Sequence, residues 1–237
     1  MDKLKHDLRY GGTTAGEEEY NAIMDAVKNG IETGNWQAGK QASMFEKEAA
    51  EYLGVEHCAL TTSGSCAGLL ALSALELPKG TEVIISAVTF PTIFNIILQC
   101  GLIPVVVDAK VGTYTFDLNE VSHAITPKTR AIIAVHPLGI PCDMEKLMEL
   151  VKDKNIYVIE DNCDGWGSTI GGRKVGSFGQ ISITSFHAAH IVSMGVGGGV
   201  FTNDSKLARK IRQYKDWGRI VETNKPHQVK ELPKDYN

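Results

Sequence analysis

HCALTTSGSCAGLLALSAL (57–75) decides the fold. HCALTT (57–62) is a short apolar run that reads as a strand, and SCAGLLALSAL (65–75) reads as a helix. Only Ser63 and Gly64 separate them, so a strand runs directly into a helix. The same alternation repeats downstream. EVIIS (82–86), IPVVVDA (103–109), RAIIAVHP (130–137), IYVIED (156–161), ISITSF (181–186) and GGVFTND (198–204) read as strands. Between them, PTIFNIILQCG (91–101) and LNEVSHAI (118–125) read as helices, as does MEKLMELVKDK (144–154) with Asp143 as its N-cap. Leu207, Ile211 and Tyr214 give the last helix one apolar face. Upstream, Tyr20, Ile23, Met24 and Val27 share a helical face ahead of Gly30, and Phe45, Ala49 and Leu53 share another that stops at Gly54. The strands are short, β-branched and apolar on both faces. That pattern predicts an α/β domain, a mainly parallel sheet covered by helices on both sides. No internal repeat is present, and ETNKPHQVKELPKDYN (222–237) is polar and without periodicity, as a linker is.

Composition narrows the function classes. A chain of 237 residues that is 43% hydrophobic can bury one large core or two small ones. Its net charge of -4 argues against nucleic acid as the partner. No apolar run approaches the roughly 18 residues of a membrane span. MDKLKHDLRYGG (1–12) has no apolar segment, so no export signal is read and a cytoplasmic location is expected. The five cysteines are scattered, with no CxxC pair, and read as reduced, mostly buried thiols. No clustered ligand set for a structural metal or an iron–sulfur centre is visible.

Ligands of such sheets bind beyond the carboxyl ends of the strands, and four polar clusters fall there. In TTSGSCAG (61–68), backbone amides at a helix start combine with small hydroxyls, a seat for an anion, usually phosphate. In IEDNCD (159–164), Glu160, Asp161 and Asp164 crowd together at a strand end, and a metal or a protonated ring nitrogen between them would relieve the repulsion. In AVTFPTIFN (87–95), Phe90 ends a strand where it could stack on a flat ligand. In SFHAAHIVSMGVGGG (185–199), Ser185, His187 and His190 stand between a strand and a glycine-rich segment. Those glycines precede a strand, so they are not a dinucleotide fingerprint. Taken singly, each cluster has a commoner structural reading: an N-cap, a solvated loop, a core aromatic, a packed histidine. Together they supply a phosphate seat, an acid for a ring nitrogen, an aromatic cover, and a hydroxyl beside a base. That combination is the kit of a pyridoxal-type cofactor.

The ordered series FEKEAAEYLGVEHCALTTSGSCAGLLAL, AVTFPTIFN, VIEDNCDGWGS, SFHAAH and GGGVFTND resembles the DegT family of nucleotide-sugar aminotransferases and dehydratases, within it most of all the 4-keto-6-deoxysugar 3-dehydratases. The resemblance implies the aspartate aminotransferase fold (fold type I) with a seven-stranded sheet, of which residues 1–220 would form the cofactor-binding large domain. Residues 221–237 would then lead toward a small C-terminal domain. It implies pyridoxamine 5′-phosphate or pyridoxal 5′-phosphate as cofactor. Gly64, Ser65 and Ser185 match phosphate ligands, Phe90 the residue stacked on the ring, Asp161 the partner of the ring nitrogen, and Asp164 a position near the ring hydroxyl. His190 falls where the aminotransferases carry their cofactor-linking lysine. An imidazole cannot form that link but can move protons near neutral pH. The implied reaction is C3 dehydration of a nucleotide-linked 4-keto-6-deoxyhexose in deoxysugar or surface-polysaccharide biosynthesis, with His190 handling the cofactor-methylene proton and His187 packing or acting from outside the site. The implied assembly is a homodimer.

Two positions depart from the family pattern: Val196 stands in place of an acidic residue, and Ile191 in place of a second histidine. DWGRIVETNKPHQ (216–228) also lacks the cysteines of the iron–sulfur-dependent members. The alternatives left open are a nucleotide-sugar aminotransferase, which lacks its lysine here, and a cofactor-binding fragment without catalysis.

Overall fold

The computed structural model describes residues 15–36 and 39–219. The expected linker at 221–237 lies outside the described residues. Seven strands form one sheet: β1 (His57–Thr61), β2 (Glu82–Ser86), β3 (Ile103–Val107), β4 (Thr129–Val135), β5 (Tyr157–Asp161), β8 (Ile181–Ser185) and β9 (Gly198–Thr202), in the order β1-β9-β8-β5-β4-β2-β3. All neighbours pair in parallel except β9, which runs antiparallel to both β1 and β8. A separate hairpin, β6 (Thr169–Ile170) and β7 (Arg173–Lys174), turns through Gly171 and Gly172, both at positive φ. Sequence periodicity missed it because two-residue strands have no period to read.

Strand alternation sorts the helices into two layers. Val83, Ile85, Ala131, Ile133, Ile159, Ile183 and Val200 point to one face, against α3 (Gly64–Ala74), α4 (Pro91–Gln99) and α7 (Ser205–Lys215). Ile84, Ile132 and Val158 point to the other, against α5 (Leu118–Ala124) and α6 (Met144–Val151). On that second face α2 (Lys40–Leu53) covers Cys58 and Phe201. Of the apolar face expected on the last helix, Leu207 and Ile211 are buried while Tyr214 is exposed. In α1 (Glu17–Thr33), Tyr20 and Ile23 do share a face, yet both are 62% exposed. Among the described residues only Gly30 of this helix is buried, under Trp36. The cysteines are all free thiols, but only Cys58 and Cys142 are fully buried, fewer than expected, and Cys66 is exposed.

The glycines before β9 have a steric reason. Gly198 lies between Thr61 of β1 and Ser185 of β8 in the ladder. A Cβ there would stand 2.3 Å from the Ser63 carbonyl oxygen and 2.6 Å from the Gly64 nitrogen. Gly64 is equally tight, since its Cβ would approach that of Ser185 to 2.7 Å. Only glycine at 64 and 198 lets the entrance to α3, the end of β8 and the start of β9 close on one another. Gly198→Ala sets backbone against backbone, with no rotamer to relieve it. The expected cost is about 1–3 kcal/mol, or roughly 3–10 °C in Tm. An unchanged melting curve by circular dichroism would show that these chains do not meet.

Candidate active site

Beyond the carboxyl ends of β4, β5 and β8 opens a cavity of about 770 Å³, walled by the first turns of α3 and α4. Gly64, Ser65, Phe90, Asp161, Asp164, Ser185 and His190 all line it. The topology explains why residues more than a hundred positions apart meet. Ser185 continues the face of Ile181 and Ile183, and Asp161 the face of Ile159, so both end their strands on the α3 side.

At the α3 wall, Ser63 caps the helix, its Oγ accepting the Cys66 N–H at 3.1 Å. The other first-turn amides have no intrahelical partner by position. Ser65 Oγ donates to Thr92 Oγ1 at 3.1 Å and ties this turn to the start of α4. Phe90 is the N-cap residue of α4, held extended ahead of Pro91, and the residue is 68% exposed and lines the cavity.

At the floor, Asp161 is buried, and its Oδ1 accepts the Cys163 N–H at 3.2 Å. It forms no ion pair among the described residues. Burial pushes its carboxyl above the ordinary value, against hydrogen bonding from Cys163 and the field of His136, while the Asp164 charge adds to the rise. A buried acid of this kind is completed by a cationic guest.

The crowding of three carboxylates expected from IEDNCD does not occur, because neighbouring strand residues point to opposite faces. Glu160 turns away from the cavity and is fully enclosed. It accepts the N–H groups of Gly176, Phe178 and Gly179 at 2.6–2.7 Å, and lies 3.1 Å from His136 Nε2. Cys142 N–H donates to His136 Nδ1, so Nε2 carries the ring proton and donates to Glu160. Among the described residues no three His, Cys, Asp or Glu side chains gather as a metal-ligand set.

Asp164 does face the cavity. Its Oδ2 accepts the Leu138 N–H at 3.3 Å, and its Oδ1 lies 3.1 Å from His190 Nδ1. A carboxylate can only accept, so His190 Nδ1 donates, and in the neutral ring Nε2 is then the acceptor. His187 lines the cavity too, rather than packing away from it. Sequence reading passed over Tyr114 and Leu138, which line the mouth at φ +61° and +53°. Left-handed backbone at non-glycine residues concentrates at functional sites, but nothing in a single sequence marks it. His136 was legible in principle, since it follows an apolar strand just as Asp161 ends one.

The model of the DegT/DnrJ/EryC1/StrS aminotransferase family matches residues 17–235. The chain is 40% identical over 220 residues to dTDP-4-dehydro-2,6-dideoxy-D-glucose 3-dehydratase of Saccharopolyspora spinosa, covering 90% of this chain and 47% of that protein. It is 36% identical over 219 residues to GDP-perosamine synthase of Escherichia coli O157:H7, covering 91% and 58%. The crystal structure of E. coli GDP-4-keto-6-deoxy-D-mannose-3-dehydratase with bound hydrated PLP superposes with a TM-score of 0.78 at 27% identity, covering 84% and 52%. The chain thus spans about half the length of the curated relatives it matches. With a family model matched across nearly all of its residues and the expected sheet in place, the chain belongs to the DegT/DnrJ/EryC1/StrS aminotransferase family.

Proposed function

We propose that this chain holds pyridoxamine 5′-phosphate, or pyridoxal 5′-phosphate, and supports C3 dehydration of a nucleotide-linked 4-keto-6-deoxyhexose. One observation carries the choice of dehydration over amino transfer. Residue 190 is a histidine whose Nδ1 is engaged by Asp164, and among the described residues no lysine lines the cavity. Lys174 is committed elsewhere, over the Tyr52 ring at 3.8 Å and on the Tyr52 carbonyl. Aminotransferase chemistry needs a lysine tether, and none stands among the described residues that line this cavity. The chain is similar to relatives of both kinds, and the histidine is the feature that favours the dehydratase reading.

The cavity suits such a cofactor on physical grounds. It offers an anion seat at a helix start, a glycine there (Gly64) with no room for a Cβ, and a buried carboxylate that forms no ion pair among the described residues. In this reading the first-turn amides of α3, with Ser65 and Ser185, hold the phosphate. Phe90 covers the ring and Asp161 accepts the ring N–H. When bound, the cofactor supplies the amine that engages the sugar ketone and a ring that takes up an electron pair. Asp164 would keep the His190 proton on Nδ1, leaving Nε2 to take up a proton beside the cofactor ring and to pass it to the departing C3 hydroxyl, which leaves as water. Val196, where the family has an acid, is exposed and does not line the cavity. A homodimer and a cytoplasmic location belong to the same reading. Among the described residues no helix is long and apolar enough to cross a membrane.

Incubation with pyridoxamine phosphate and a CDP- or GDP-4-keto-6-deoxyhexose should yield a 4-keto-3,6-dideoxyhexose lighter than the substrate by one oxygen atom, with pyridoxal phosphate and ammonia formed in equal amounts, detected by mass spectrometry. Amino transfer to the intact hexose, with the C3 hydroxyl retained, would reverse the choice.

A further inference from the structure

His187 is the one imidazole of the cavity to which no role has been given, and its surroundings fix what it can do. Its backbone N–H donates to Ser185 Oγ at 3.3 Å, anchoring the residue beside the α3 anion seat. Its ring Nδ1 accepts the Ala189 N–H at 3.2 Å. An amide N–H can only donate, so Nδ1 is unprotonated and the neutral ring carries its hydrogen on Nε2. That Nε2–H has no hydrogen-bond partner among the described residues, and the side chain lines the cavity. The ring stands edge-to-face against His190, with centroids 6.4 Å apart.

The two imidazoles therefore present opposite faces of the same chemistry. His190 offers an acceptor nitrogen and His187 a donor, at a separation that lets them address neighbouring positions of one sugar ring. We infer that His187 is a sugar-binding residue, its Nε2–H a preset donor to an oxygen of the bound hexose beside the proton-transfer centre of His190. The inference rests on the nucleotide-sugar reading above. Backbone locking matters here, because a donor already oriented loses little rotational freedom when the ligand arrives.

Two measurements test it. In ¹⁵N-labelled protein without ligand, ring correlation spectra should show His187 as the Nε2–H form and His190 as the Nδ1–H form. The reverse assignment at His187 overturns the inference whatever the protein's activity. In calorimetric titrations with a nucleotide-linked 4-keto-6-deoxyhexose, His187→Phe, which keeps a flat ring without the donor, should weaken binding about tenfold. His187→Gln, which restores an N–H, should stay within about threefold of wild type. Affinity for pyridoxamine phosphate alone should be unchanged in both variants. Equal loss of cofactor affinity in His187→Phe would make the residue a phosphate ligand and overturn the sugar role. A wild-type protein that binds no nucleotide-linked hexose would sink the functional reading as a whole. Wild-type binding that His187→Phe leaves intact would sink His187 alone.

Discussion

His190→Lys is expected to capture pyridoxal phosphate covalently and to lower dehydration by roughly 10²–10⁴-fold, the usual contribution of a positioned acid–base group. The physical reason lies in the difference between the two side chains. An imidazole accepts and returns a proton without bonding to carbon, and here Asp164 at 3.1 Å keeps Nε2 free for that work. A primary amine in the same place condenses with the aldehyde and holds the cofactor in the tethered form, out of the amine form that dehydration uses. The substituted protein should keep a pyridoxyl phosphate after borohydride reduction, visible as an added mass on the peptide that spans residue 190. His190→Gln is the control: it should lose turnover and capture nothing. If the lysine variant binds pyridoxal phosphate with no covalent mass, position 190 does not face the cofactor's reactive carbon.

Asp161→Asn should act in opposite directions on the loaded and ligand-free protein. Removing one partner of a buried charged pair costs about 3–5 kcal/mol, so cofactor affinity or turnover should fall by about 10²–10⁴-fold. In the ligand-free protein the same carboxylate is a burden. Burial raises its folded-state value above the ordinary 3.8, so between those two values the folded chain holds more protons than the unfolded one. This contribution to stability is complete below 3.8 and is lost as pH rises through the raised value. The ligand-free wild type should therefore lose Tm across that window, and Asp161→Asn should flatten the slope and melt no lower at neutral pH. A ligand-free variant less stable than wild type at neutral pH would mean that Asp161 is satisfied by the protein itself. It would then not be waiting for a cation.

The sheet was legible because its strands are continuous apolar runs between helices whose periods are clear. The cavity was partly legible for a related reason: polar residues at the ends of such strands, Asp161 and Ser185 among them, have one place to go. Glu160 shows the limit of reading a cluster as a unit. It adjoins Asp161 in sequence, but strand alternation sends it to the opposite face, where His136 and three amides satisfy it. The partners that fix histidine tautomers were not legible. Leu138 N–H on Asp164 and Ala189 N–H on His187 are backbone contacts set by loop geometry, and no residue type announces them.

The antiparallel β9 has a consequence for how the molecule acquires its ligand. Among the described residues β1 joins the sheet through β9 alone, and β9, which bridges it to β8, comes after the other six strands in the chain. Until residues near 200 slot between them, the strand that leads into Ser63 and Ser65 and the strand that ends at Ser185 share no hydrogen-bonded neighbour. In a half-open chain the two halves of the proposed phosphate seat would be tied only through the packing of α3 on β8. A ligand that spans both halves would favour the closed sheet over forms in which β9 has not docked.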